Sequence, residues 1–499
     1  RIESDYMSKK RMLIVTSVTL SVVTISLGIV KLYQTYALSN YIGTVTDTGI
    51  DVYINDDSYA SIPANGSSNV YYMLTNTNPG TVKYGVAYQT TSGVTVKVYD
   101  TSEDPATGTI EENDKKYIKL HLENKNSTNK TIELSTVLGY ENGGDLVVPS
   151  GVTLVTDTYT PPPTAAEYIT KLYTTASKTT VTNNSITYNT APSVSLMNDR
   201  LGGTTTDLDG GNIRYYGASP NNYIYFNCSD YSNQTSSTCE TWRIIGVFDG
   251  KLKLIRGSQI GTYSWDNKDT STGAESNFGK NDWTTARLMK LLNPSDYYTT
   301  DSNDNNLGQG LYYNSASGKC YSGQNNATVD CNFTSTGIKN DITRNMIAET
   351  TYNLGGWNSN TVYPNLMYEK ERGTTVYTGR PTTPWTGKIA LAYTSDYGYA
   401  ADLNQCKDKT LYDYNNSTCT SNNWMKAIIT NNGSNTGWLL TPYSGNSYHA
   451  WYVYSDGLVY SYNRAFNARG AVPVLSLSSE LGIESGGDGS SSKPYKLSA

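Results

Sequence analysis

Tyr443-Ser-Gly-Asn-Ser-Tyr-His449-Ala-Trp451-Tyr-Val453-Tyr-Ser-Asp-Gly457-Leu-Val459-Tyr-Ser-Tyr-Asn-Arg464-Ala-Phe-Asn-Ala-Arg469 reads as two alternating runs around the turn pair Asp456-Gly457. A two-residue turn would send Val453 and Val459 to opposite faces. A three-residue loop, Ser455-Asp456-Gly457, with Gly457 in the left-handed position of a bulge, puts Trp451, Val453 and Val459 on one face. Tyr452, Tyr454, Leu458, Tyr460 and Tyr462 then share the other.

The surrounding run from Ala427 to Ser479 contains no Lys, Glu, Gln or Met, although all four occur elsewhere in the chain. Rigid amphipathic Tyr set among Ser, Gly and Asn is the composition by which antibody paratopes gain contact area at low entropic cost. The candidate ligand-binding residues are Tyr443, Ser447, Tyr448, His449, Tyr452, Tyr454, Asp456, Leu458, Tyr460, Tyr462, Arg464, Phe466, Asn467 and Arg469. A second reading stands beside this one: with 44 Tyr and 5 Phe in the chain, a Tyr-rich strand pair also suits burial between two sheets.

Outward from this segment, 499 residues suffice for two or three domains with their own cores. Charged residues are 16%, the net charge is -6 and no basic block occurs, which argues against a nucleic-acid partner. The six cysteines form close pairs, Cys228 with Cys239, Cys320 with Cys331 and Cys406 with Cys419. None has zinc-knuckle spacing, so local disulfides are expected, each worth about 2–3 kcal/mol by loop-closure entropy, in a compartment outside the reducing cytoplasm.

Met12 to Val30 is apolar apart from Ser, Thr and Gly, follows Lys9-Lys10-Arg11 and precedes Lys31. At roughly 28 Å as a helix it spans a bilayer core, so residues 1–40 are expected to form a cytoplasmic stub and an uncleaved, single-pass signal-anchor, with the bulk of the chain extracellular. A cleaved signal peptide is the competing reading, disfavoured by the long apolar run and the lack of an Ala-x-Ala site before Ala37.

Between residues 41 and 158 the runs Gly49–Ile54, Asn69–Leu74, Val82–Ala87, Val94–Val98, Tyr117–Leu122 and Lys130–Leu134 predict an all-β, Ig-like sandwich. His121 alternates with apolar neighbours and reads as a structural strand position. Pro161-Pro162-Pro163 and a short helix over Ala165–Ala176 predict a linker at 159–182. From 183 to 499 the pattern is α+β: a hairpin of Trp242–Phe248 and Leu252–Ile255 around Asp249-Gly250, a helix capped by Asn281 or Asp282 and stopped by Pro294, and another capped by Asn340 or Asp341 and running to Leu354.

The ordered set Thr241-Trp-Arg-Ile-Ile-Gly-Val247, Asp282-Trp283, Leu288, Leu291-Leu292-Asn293, Trp438-Leu-Leu-Thr-Pro442, Ala450-Trp451, Gly457, Val459 and Pro473-Val-Leu-Ser-Leu477 resembles a family of surface domains of gut Gram-positive bacteria. That family is similar to the C-type-lectin-like fold, including the variable proteins of diversity-generating retroelements, and the resemblance covers roughly residues 183–499. It implies a site diversified from an Asn-rich template at adenines. Tyr443, Ser447, Tyr448, His449, Tyr452, Tyr454, Asp456, Tyr460, Tyr462, Arg464 and Phe466 are all reachable from Asn codons, whereas Lys, Glu, Gln and Met are not. Relatives commonly carry Gly-Val-Arg-Pro where this chain has Gly470-Ala471-Val472-Pro473, so any bracing role of that Arg is absent or taken by Arg469. The sugar-binding calcium motif of true lectins is missing, so the resemblance does not imply carbohydrate binding.

Catalytic chemistry is poorly supplied. The only histidines are His121 and His449, in separate expected domains, and the cysteines are expected in disulfides. Asp301-Ser-Asn-Asp-Asn-Asn306 lacks the Gly and Glu of a calcium loop, and Asp207-Leu-Asp-Gly210 reads as a turn. No cofactor, metal site or enzyme activity is expected. The leading expectation is a membrane-anchored receptor or adhesin for an external protein or glycan, ahead of a structural envelope or pilus-like component and of an envelope hydrolase.

Overall fold

The computed structural model describes residues 58–498 apart from 78, 141–144, 268–276, 300–306, 378–379, 383 and 431–435. The expected membrane helix over Met12–Val30, the strand Gly49–Ile54 and the polar loop Asp301–Asn306 lie outside the described residues. Among the described residues no helix is long and apolar enough to cross a membrane, so the expected transmembrane fold and single-pass localisation are withdrawn. The described chain is mostly β-sheet, and it divides into two compact units, Arg1–Pro162 and Pro163–Ala499.

In the first unit, one sheet has the order Ser58–Ile62, Lys130–Tyr140, Val82–Gln89, Thr107–Ile110, with Val152–Leu154 also paired to Val82–Gln89. A second sheet runs Gly66–Thr75, Lys115–Asn124, Val94–Tyr99, Thr158–Tyr159. Alternation explains the packing: Val94, Val96 and Val98, with Ile118, Leu120 and Leu122, point into a shared core with Val82, Tyr84 and Val86 of the other sheet. Tyr72 is wholly buried there, and its hydroxyl lies 2.7 Å from that of Thr136. His121 is buried, stacks on Tyr159 at 3.6 Å and shares a 2.7 Å contact with Asn69, so its ring is held by structure.

The second unit contains the helix Ala165–Thr175, close to the short helix expected over Ala165–Ala176. Thr164 and Glu167 form a capping box, Ala165 N donates to Leu481 O at 2.6 Å, and Ile169 and Tyr173 are buried in the main core with Trp242 and Leu254. Partners about 70 to 320 residues away thus hold this helix in the core. The principal sheet runs Thr179–Asn183, Ile186–Ala191, Leu196–Asn198, Ile213–Tyr215, Glu240–Phe248, Lys251–Arg256, Val474–Ser476, Ile389–Ala390, with Tyr223–Phe226 paired to Glu240–Phe248. Asp249 and Gly250, both at positive φ, close its central hairpin.

Two helices are shorter than their patterns suggest. The one over Arg287–Leu292 starts without a side-chain cap, and Asp282 instead accepts from Thr284 N in a local turn. The helix Asp341–Met346 keeps its Asn340 cap but stops early, because Ile347 bridges to Leu477 and Thr350–Tyr352 pairs with Trp385–Gly387. Tertiary pairing here overrides helical periodicity.

All six cysteines are bonded, Cys228–Cys239, Cys320–Cys331 and Cys406–Cys419. Such bonds are consistent with an extracellular protein.

Candidate functional site

The Tyr-rich segment forms the end of a second sheet in this unit, ordered Thr262–Ser264, Ala468–Gly470, Gly437–Pro442, His449–Val453, Val459–Arg464. The last strand is the edge. Val453 pairs with Val459 and Tyr452 with Tyr460, while Tyr454 N donates to Leu458 O at 2.8 Å. The loop between them is Ser455-Asp456-Gly457, with Gly457 at φ +97°. Trp451, Val453 and Val459 are wholly buried together with Leu439.

The opposite side is not a single face of tyrosines. Ala450 pairs with Asn463 and Tyr452 with Tyr460, so one residue on the inner strand stands opposite two on the edge strand. This bulge sets Ser461 and Tyr462 together across from Trp451 and resets the alternation. Tyr462 consequently meets His449 at 5.5 Å and Tyr443 at 6.1 Å. Tyr460 instead stacks on Tyr452 at 5.5 Å and meets the edges of Tyr454 and Tyr412 at 5.8 and 6.3 Å.

Burial sorts the candidates further. Tyr462 is 57% exposed and Tyr454 42%, with Asp456 and Arg464 also exposed. Tyr443, Ser447, Tyr448, His449, Tyr460, Asn467 and Arg469 are half-buried. Tyr452, Leu458 and Phe466 are buried, which corrects their expected place on an open surface. Tyr452 lies against Trp438, 6.2 Å away, and under the Arg469 guanidinium at 4.1 Å. Phe466 is held through its backbone, its N–H donating to Phe278 O and its carbonyl accepting from the Ser264 hydroxyl. Arg469 donates to Thr436 Oγ1 at 2.8 Å and so braces Tyr452.

Residues remote in sequence complete the site. Asn281 Nδ2 lies within hydrogen-bond distance of the carbonyls of Tyr443, Asn446 and His449, at 2.9, 3.0 and 2.6 Å, and Arg380 in turn donates to Asn281. Phe278 carries Arg464 at 4.1 Å and touches Tyr448 at 5.1 Å. Tyr412, 45% exposed, extends the aromatic surface beyond Tyr460. Asn281 has a cap-like sequence context, which hid its role as a clamp; Tyr412 carries no local signal.

The hairpin is held at both ends. Tyr397 donates its hydroxyl to Gly457 O at 2.9 Å at the turn, and Asn281 holds the base. His449 Nδ1 faces Asn446 Nδ2 at 2.8 Å and therefore accepts, leaving the ring proton on Nε2. Burial, with a smaller push from Arg464, drops the His449 pKa to about 4, so the ring is neutral at physiological pH. Among the described residues no group of three or more His, Cys, Asp or Glu is arranged to hold a metal ion.

No protein family, curated protein or solved structure matches this chain. The geometry of the site itself therefore carries the functional argument.

Proposed function

We propose that this protein is an extracytoplasmic binding protein that captures an external protein or glycan through Tyr454, Tyr460 and Tyr462, flanked by Tyr412, Tyr443 and Arg464. One observation carries the reading: exposed aromatic side chains stand on an edge hairpin whose turn and base are both fixed by hydrogen bonds from elsewhere in the fold. Pre-ordered Tyr loses little freedom on binding, which is how such surfaces gain affinity. Binding is favoured over catalysis because the one histidine at the site is held neutral in a local contact and the cysteines are bonded. The absence of Lys, Glu, Gln and Met from 427–479 supports the further proposal that this segment is diversified.

The test is the full chain carrying Tyr454→Ser and Tyr462→Ser, applied to a glycan array and to intact epithelial and bacterial cells. The unaltered protein is expected to bind, and the double variant to lose at least ten-fold in binding while melting normally. Equal binding by both proteins overturns the reading. Self-association of the unaltered chain, abolished by the same changes, would favour a structural surface component instead.

A further inference from the structure

A second cleft, of about 460 Å³, lies beside the principal sheet between the strands Tyr223–Phe226, Glu240–Phe248 and Lys251–Arg256 and the chain that follows Arg256. Its volume is that of a small-molecule site. Tyr223, Glu240, Thr241, Arg243, Arg256 and Ser258 line it.

Arg243 is the unusual member. Only 7% of it is exposed, and its guanidinium is 3.6 Å from the Tyr223 ring and 4.9 Å from the Trp424 ring. Nε donates to Asn222 Oδ1 and Nη2 to Pro220 O, Tyr223 also hydrogen-bonds the guanidinium, and among the described residues no carboxylate pairs with it. The carboxylate in the cleft is committed elsewhere. Glu240 accepts from Arg256 Nε at 3.1 Å, Arg256 Nη2 at 3.0 Å and Trp242 Nε1 at 2.9 Å. Arg256 is likewise occupied, donating through Nη1 to Ser258 and Gln259.

Charge counting then leaves one uncompensated cation. Glu240 and Arg256 cancel, and Arg243 remains, flanked by rings and amide oxygens. Burial lowers its pKa, opposed by Tyr223, to about 10, which still leaves it charged at neutral pH. A nearly buried charge without a counter-ion is costly, and an anion entering the cleft relieves that cost. A planar guanidinium fork matches the plane of a carboxylate. Hydroxyls of Thr241 and Ser258 beside it suit a ligand that itself carries hydroxyls.

We propose that this cleft binds a hydroxylated monocarboxylate of monosaccharide size, a uronic acid, with the carboxylate on Arg243. The site is separate from the Tyr-rich hairpin and does not depend on its role.

The test is calorimetric titration of the full chain with sodium glucuronate, glucose, acetate and inorganic phosphate at matched ionic strength. Saturable glucuronate binding is expected, with acetate at least ten-fold weaker and glucose undetectable. Arg243→Gln should lose at least ten-fold in affinity. Because that change touches a buried residue, Thr241→Trp provides a second arm: Thr241 is exposed, and a bulky ring there fills the cleft with Arg243 intact. The proposal is overturned if glucuronate fails to bind saturably, if glucose or phosphate binds as tightly, or if either folded variant binds glucuronate like the unaltered chain.

Discussion

Tyr452 and Tyr462 are chemically identical and two strand positions apart from sharing a role. The first is 7% exposed under Arg469, the second 57% exposed beside His449. Tyr452→Ser should therefore destabilise by about 3 kcal/mol and Tyr462→Ser by no more than about 0.5 kcal/mol, read from denaturant midpoints at constant slope. A sharper contrast is buried near the principal sheet, where Asp396 meets Arg214 at 2.8 Å and also Lys253. Burial alone would raise the Asp396 pKa, but Lys253 and Arg214 outweigh it and hold the group at about 2. A carboxylate depressed in the folded state contributes stability above its ordinary value of 3.8 and loses it as pH falls towards 2. Asp396→Asn should cost about 3–5 kcal/mol at pH 7 and remove that part of the acid-limb slope, as measured by urea titration at successive pH values. His449 supplies an opposite expectation for function: with its pKa at about 4, ligand capture by the hairpin should stay flat between pH 5.5 and 8 in surface-plasmon measurements.

The hairpin and the loop beneath its turn behave as a pair. A Cβ at Gly457 would come within 2.8 Å of Thr420 Cγ2, and φ is already +97°, so Gly457→Ala combines backbone strain with a collision. Thr420 directly follows Cys419, whose bond to Cys406 closes a short loop. Replacing both cysteines by Ser should cost about 3 kcal/mol by loop-closure entropy, and hydrogen exchange at Val453 and Val459 should quicken as the support slackens. The turn register is legible in the sequence because a three-residue loop, unlike a two-residue one, puts Trp451, Val453 and Val459 on one face. The bulge at Ser461-Tyr462 was not, since nothing in that short polar stretch differs from regular alternation; only the pairing with His449–Val453 reveals it.

At the scale of the whole molecule, β character and local disulfides were legible because alternation and cysteine spacing are local signals. What escaped depends on distant partners: the packing of the expected helix Ala165–Thr175 against Leu481 and the central strands, and the hold of Asn281 on the carbonyls of Tyr443, Asn446 and His449. Since the chain divides at Pro162 and Pro163, residues 163–499 produced alone should unfold in one cooperative transition and keep ligand capture, as followed by scanning calorimetry and the same binding assay. A fragment that needs residues 1–162 to fold would contradict this. The bracing of the hairpin by Tyr397 and Asn281 also bears on inheritance. Codons for the outward side chains between those two anchors can be rewritten over generations with little penalty to folding, and under the proposed function such changes would alter ligand preference without passing through misfolded ancestors.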